Sequence, residues 1–588
     1  MDQRMQFFYA NRIAAARLLI GIVQGLALYL LHEAGLKKSW PADQPDVLRA
    51  LSTAAGMTPF FMVLGIGNLR WPTFAIWSVV IGLVSAGLGF HAGHQEMDRL
   101  GWFSLATILS TSIPVFLFIV NALVTGADSD RRLIATFRTY FEVTWKHVTQ
   151  YVLASLFIGL FWGLLWLAGT LFNAIHVDVV STTISKSWFW IPVTCIVSSA
   201  ALHLTDAQAG LVRGARSLLL NLLAWLLPVM VLIGGGFLVA LFFTGLDPLW
   251  NTKRATLSLI IASGLLILLI NAHFQDGISQ EERFPVLRYA RFLAALMLAP
   301  LVVLAAIGLG LRIEQHGWTP PRVIGVACIV MLASHAIGYA LAALRSGPAL
   351  RYLPMTNIAS AFVTAAGLLA LLTPLADPAR ISVDDQIARL ESGRVAPEKF
   401  DLAFLERSSG RYGKDAYERL KTNPQGPNAA RISARIEQLA RAPKPGAVAN
   451  SPASAETRAK NITVTKPAGT ALPAAFLEKD WKSAPSGPAL PACLTQSTYT
   501  CDAFLVDLVD DGRPEIVTID PIGVTIFAQD AEGQWVAAGQ ILQKLFCPEV
   551  RQALKAGDVQ PLQPRFKDLE VAGERLQVVS TACLRPRR

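Results

Sequence analysis

Long apolar runs separated by short polar turns fill residues 1 to about 376 of this 588-residue chain, and then the pattern changes. A helix needs roughly 20 apolar residues to cross a bilayer. Eleven runs meet that requirement, at approximately 13–32, 48–67, 71–92, 101–124, 148–175, 187–206, 217–245, 255–273, 290–311, 322–343 and 356–376. Only "NLRW" parts the second from the third, which predicts a tight hairpin. The seventh is long and carries Pro228 and the triplet Gly234, Gly235, Gly236. Proline removes a backbone hydrogen bond and glycine weakens a helix, so a kinked or broken span is expected there. The run from Ile13 to Leu31 is followed by "HEAGLKK", without a small-x-small cleavage site, and reads as an uncleaved first span. Neither end carries a lipidation motif.

Beyond residue 376 the periodicity is that of soluble protein. Residues 377–440 read as short amphipathic helices, and "DDQIARLESG" ends at a glycine, a common helix stop. Residues 441–472 are rich in Pro, Ala, Ser and Gly and read as a flexible linker. From 473 to 588 come short apolar or alternating runs between turn residues: "AFLVDLV", "PEIVTID", "GVTIFAQD" and "QWVAAGQIL", with "RLQVVSTACL" near the end. The expected fold is therefore an α-helical polytopic membrane domain of about 11 transmembrane helices, followed by a small β-rich soluble domain large enough to hold a core of its own. Two local signals add detail. "SDRRLIATFRTYFEVTWKH" at 129–147 mixes basic and aromatic residues and predicts an amphipathic surface helix capped by Ser129. "GWTPPRVIG" at 317–325 predicts a helix start, with Thr319 as the cap and Pro320 at the first helical position.

Charge adds orientation. The chain carries a net charge of +10, yet only 16% of its residues are charged, and no basic cluster with interleaved aromatics appears, so nucleic acid is not an expected partner. With the N-terminus in the cytoplasm, inner segments hold fifteen Lys and Arg and outer loops nine, the bias expected of the positive-inside rule. Eleven spans then place the C-terminal domain outside. The cysteines agree. Cys195 and Cys328 fall inside spans, whereas Cys493, Cys501, Cys547 and Cys583 cluster in the soluble tail. An even set in a small domain points to disulfides and an oxidising compartment. Four cysteines allow three pairings; Cys493–Cys501 with Cys547–Cys583 is the expected one, and a zinc site ranks below it because no C-x-x-C spacing occurs.

Candidate chemistry is sparse. "DLVDDGRPE" at 507–515 resembles the calcium loop of integrin-type β-propeller repeats, with Asp507, Asp511 and Glu515 at loop positions one, five and nine. Val509 fills the third position and offers no ligand oxygen, whereas calcium takes six to eight oxygens. A hairpin turn, with Asp and Gly serving turn geometry, is the competing reading. Calcium is the one cofactor raised. Within the membrane half, ionisable groups are costly and count as functional candidates. They are His203 and Asp206 one turn apart, Asn271, His273 and Asp276 in "NAHFQDG", and His335 in "LASHAIGYAL". The bland alternative places Asp206 and Asp276 at the interface, where charge is cheap. His91, His94 and Glu96 in "HAGHQE" are outer-loop candidates. Walker A, H-E-x-x-H and G-x-S-x-G patterns are absent, and no catalytic residue is assigned.

"NAHFQDG", "GWTPPRVIG", "QIARLESGRVAPEKFDLAFL" and "GRYGKDAYERL" together resemble a family of polytopic bacterial inner-membrane proteins classed as a domain of unknown function, over roughly residues 10–425. The resemblance implies location and architecture but supplies no site residues, and the β-rich tail lies outside it. Three functions stay open: a cell-envelope protein whose periplasmic domain binds a protein partner or ligand, a secondary transporter or channel, and a membrane-embedded enzyme on lipid-linked substrates.

Overall fold

The computed structural model describes residues 3–94, 105–252, 255–277, 285–407, 409–441, 453–467, 469–481, 490–497, 499–509, 511–519, 523–530 and 532–541, with two short strands at 569–571 and 574–576. The chain divides into two units, Met1–Ser433 and Ala434–Arg588.

The first unit is all helix. Its elements are α1 (Gln3–Lys37), α2 (Pro45–Gly65), α3 (Trp71–His94), α4 (Leu105–Asp130), α5 (Phe137–Asn173), α6 (Val179–Ile184), α7 (Ser187–Ala207), α8 (Ala209–Thr244), α9 (Asp247–Asn251), α10 (Ala255–Phe274), α11 (Pro285–His316), α12 (Pro320–Ser346) and α13 (Leu353–Leu371). Shorter helices follow: α14 (Pro378–Glu391), α15 (Leu402–Arg407), α16 (Gly410–Thr422) and α17 (Ala429–Arg441), the last crossing the division between units. Eleven of the described helices are long and apolar enough to cross a membrane: α1–α5, α7, α8 and α10–α13. Their outer faces are apolar too. Leu232, Phe242 and Phe243 of α8 are largely exposed, an arrangement stable against lipid tails, because a helix satisfies its own backbone groups there. The chain is a multi-pass membrane protein.

Two cores organise these helices. One gathers α8, α10, α11 and α12 around Leu266, Leu269, Leu298 and Tyr339. The other gathers α2, α3, α4, α7 and α13 around Phe61, Ile81, Leu117 and Leu202. Small residues set the closest helix approach. A Cβ on Gly25 of α1 would sit 2.5 Å from Pro192 Cα of α7, and one on Gly21 would sit 2.8 Å from Ser199 Cβ. Gly21 and Gly25 thus form a small-xxx-small seam, the contact that lets membrane helices touch backbone to backbone.

Of the two alternatives for the seventh span, kinked or broken, the break is excluded: α8 runs unbroken through Pro228 and the glycine triplet. Two other expectations change. Ser129 is not an N-cap: it lies in the last turn of α4, where its hydroxyl bonds Thr125 O. Nor is 129–147 a separate surface helix. Thr136 caps α5, accepting from Thr139 N, and the helix continues into the span as one 37-residue element. The basic–aromatic mixture is the first turns of a long helix. α12 does start at Pro320 behind an extended Thr319, but the Thr319 side chain makes no capping bond.

The stretches "GWTPPRVIG" and "QIARLESG" meet in space. Asp385 accepts from Trp318 N at 2.8 Å, Gln386 donates to Trp318 O at 2.9 Å, and Arg389 donates to Gln315 O at 3.1 Å. Gly317 turns the chain here with φ +75°, and the side chains of Asp385 and Arg389 occupy the space a Cβ would need. α14 is therefore clamped onto the α11–α12 turn.

The second unit holds α18 (Ala455–Asn461), β1 (Ile462–Lys466), α19 (Ala474–Glu478), α20 (Ala492–Thr495), β2 (Cys501–Val506), β3 (Glu515–Ile519), β4 (Val524–Gln529), β5 (Trp535–Ile541), β6 (Leu569–Val571) and β7 (Glu574–Leu576). β1 to β5 form one sheet in chain order; β1 is parallel to β2 and the rest are antiparallel. The four strand runs read from the sequence are β2 to β5. α18 and the edge strand β1 occupy part of the stretch expected as linker. Phe476, Trp481, Phe527 and Trp535 pack edge to face with centroids 5.0–5.5 Å apart. Arg458 is buried against this core and donates to Leu494 O, Leu477 O and Lys479 O. Burial pulls its guanidinium pKa down, and three carbonyl acceptors compensate for the lost water.

Candidate polar sites

His203 and Asp206, one turn apart on α7, are brought to a charge cluster that joins four elements. Asp206 Oδ2 pairs with Arg17 Nη2 of α1 at 2.8 Å. Its Oδ1 pairs with Lys146 Nζ of α5 at 2.8 Å and accepts from Gln150 Nε2 at 3.2 Å. Arg17 also donates to Ile66 O in the α2–α3 turn at 2.9 Å and meets His203 Nδ1 at 3.3 Å. Lys146 reaches Asn68 Oδ1 at 2.9 Å, and Ser199 Oγ of α7 donates to Arg17 O. Both carboxylate oxygens are thus committed to cations, so the cluster acts as a clasp. Sequence reading named its acceptor but missed Arg17, Lys146, Gln150 and Asn68. The i,i+4 spacing of Lys146 and Gln150 puts both on one helix face, yet nothing in the sequence says which helix that face meets.

A second carboxylate lies on the same side of the bundle. Asp128, buried at the end of α4, takes Arg70 through backbone N at 2.9 Å and Nε at 2.7 Å, and accepts from Thr73 Oγ1 at 2.6 Å. This pins the start of α3 to α4.

Asn271, the amide of "NAHFQDG", belongs to a closed ring. Its Nδ2 donates to Tyr339 Oη of α12 at 2.7 Å, Tyr339 Oη donates to Asn357 Oδ1 of α13 at 2.5 Å, and Asn357 Nδ2 donates back to Asn271 Oδ1 at 2.6 Å. Amide pairs of this kind join helices in lipid. Asn271 and Asn357 also edge a cavity of about 220 Å³ walled by Phe118, Phe137, Tyr140 and Trp145. His335 stands edge-on to Tyr339 at 5.7 Å, its Nδ1 3.0 Å from Met331 O. His273 is buried. Asp276 lies 4.0 Å from Arg138 Nε. This cavity is lined by none of His203, Asp276 and His335, so the ionisable candidates occupy separate places.

On the opposite end of the bundle, His91 Nε2 is 3.0 Å from Asp377, which caps α14 through Ala379 N and Arg380 N. Burial and the Asp377 charge push the Tyr412 hydroxyl pKa up beside it. The His94 side chain and Glu96 lie outside the described residues.

In the second unit, "DLVDDGRPE" is the turn between β2 and β3. Asp507 accepts from Gly512 N at 2.9 Å, Asp511 from Arg513 N at 2.8 Å and Glu515 from Leu508 N at 2.6 Å. Gly512 takes φ +78°, as such a turn demands. Each named carboxylate closes the turn on itself, and among the described residues no group of three or more His, Cys, Asp or Glu is placed to hold a metal ion. Cys493 and Cys501 form a disulfide, with Cα atoms 5.9 Å apart. Cys547 and Cys583 lie outside the described residues.

A family model described as a domain of unknown function (DUF4153) matches residues 47–420. No curated protein and no solved structure matches the chain. The chain belongs to the DUF4153 family.

Proposed function

We propose that this member of the family is a bacterial inner-membrane protein, with its N-terminus in the cytoplasm, that carries its sheet unit in the periplasm to bind an envelope protein or a small ligand there. The observation that carries this reading is the Cys493–Cys501 disulfide, since such bonds persist in oxidising compartments. Eleven crossings and the Lys and Arg count of the turns support the same orientation. The transport reading loses a support, because α8 is continuous and so offers no broken helix of the kind many transporters use. The enzyme reading loses another, because His91 faces the helix cap Asp377.

Thiol labelling of spheroplasts with a membrane-impermeant maleimide tests the orientation. Cys493 and Cys501 should react from outside, and only after reduction. Labelling that needs permeabilised membranes and no reductant would overturn it. Crosslinking in cells from positions on β5 then tests partner binding; a pattern unchanged when the sheet unit is deleted would remove that part.

A further inference from the structure

A groove of about 890 Å³ opens between α4 and α13. Its walls are apolar, built by Phe116, Val120 and Leu123 on one side and Phe362, Ala366 and Leu369 on the other. Its rim is basic, formed by Arg70, Arg131 and Arg132. The single carboxylate of the lining, Asp128, is already satisfied by Arg70 and Thr73. Arg131 and Arg132 both have exposed side chains. The Asp130 carboxylate, held by Thr136 N and Thr139 Oγ1, lies close enough to Arg132 to interact with it, so the rim keeps Arg131, and Arg132 in part, as positive charge above an apolar slot.

Length and neighbours narrow the occupant. From Asp128 to Phe116 the α4 wall drops about 18 Å at 1.5 Å per residue, close to one leaflet of a hydrocarbon core about 30 Å thick. Directly after the arginines come Leu133, 96% exposed, and Ile134, 57% exposed. Exposed leucine and isoleucine beside paired arginines suit the headgroup boundary, where apolar tips insert and guanidinium groups stay at phosphate level.

We propose that this groove binds an anionic phospholipid, its phosphate held by Arg131 and Arg132 and one acyl chain laid between α4 and α13. Two cationic side chains favour a headgroup of net negative charge over a zwitterionic one, while the slot supplies apolar burial. The site does not depend on which side of the bundle faces the cytoplasm. Nothing in the clasp at Asp206 or in the sheet unit takes part in it.

Native mass spectrometry of the full-length protein, titrated with phosphatidylglycerol, with phosphatidylcholine and with inorganic phosphate, tests the proposal. Phosphatidylglycerol should bind the wild type well above phosphatidylcholine. R131Q/R132Q should bind it about thirty-fold more weakly, from the usual worth of two basic residues at an anionic surface, whereas R131K/R132K should keep most of the affinity. A366W, which fills the slot at an exposed position without touching an arginine, should also weaken it. Equal binding of the two lipids, an R131Q/R132Q variant that binds as the wild type does, or displacement of the lipid by inorganic phosphate alone would each overturn it.

Discussion

Arg17 of α1 and Asp206 of α7, 189 positions apart in sequence, meet at 2.8 Å with the Arg17 side chain almost fully buried. Removing one partner of a buried pair leaves the other charge uncompensated, which costs more than the pair contributes. Asp206→Ala strands Lys146 as well as Arg17. It should destabilise the folded protein by about 3 kcal/mol, read from denaturant unfolding in detergent. R17M/D206L, which removes both charges, should recover part of that loss; a double variant worse than the sum of the singles would show that the clasp is not an independent pair.

The Gly21–Gly25 seam makes an opposite pair of expectations within one helix. Gly25→Leu drives a side chain into Pro192 and should cost more than about 3 kcal/mol or prevent folding. Gly35→Leu, at a position with nothing within 4 Å, should be near neutral. Size-exclusion profiles and melting temperatures of the two variants check this; similar behaviour of both would remove the seam.

The Asn271–Tyr339–Asn357 ring predicts a modest effect. Tyr339→Phe keeps the packing and deletes one hydroxyl, leaving two amides short of a partner. A loss of about 1 kcal/mol is expected, and Asn271→Ala in the Tyr339→Phe background should add less than it does alone. Strict additivity would mean the three side chains do not act as a ring.

Reducing the Cys493–Cys501 bond, which closes a short loop, should lower the stability of the sheet unit by about 2–3 kcal/mol. The same shift should appear in C493S/C501S without reductant. Hydrogen exchange along β2 reports it; unchanged protection would mean the sheet does not rely on the bond.

The β2–β3 turn predicts an absence and a presence. Millimolar calcium should leave the melting temperature of the full-length protein unmoved, because Asp507, Asp511 and Glu515 already hold loop amides. Glu515→Gln should lower stability by about 1 kcal/mol, since the charged acceptor to Leu508 N is lost. A calcium-dependent rise abolished by Asp507→Asn would restore the metal reading.

Apolar run length alone marks the eleven spans, because a bilayer admits a helix only if nearly every side chain along it is apolar. Period-two alternation did the same for β2 to β5, and tail cysteine clustering pointed to disulfides while leaving three pairings possible, of which the structure shows the Cys493–Cys501 bond. These are local properties, carried by neighbours in sequence. The sequence also flagged Asp206 and Asn271, since a polar group in an apolar run is costly wherever it lies. Their partners were beyond reach. Arg17, Lys146 and Tyr339 become partners only once α1, α5 and α12 are set beside α7 and α10, and lipid-facing residues look as apolar as core residues. The continuity of α8 was likewise undecidable, since proline and glycine permit a break without compelling one. Where the backbone amides of "DLVDDGRPE" point was likewise beyond the sequence, and the tertiary structure points them at Asp507, Asp511 and Glu515.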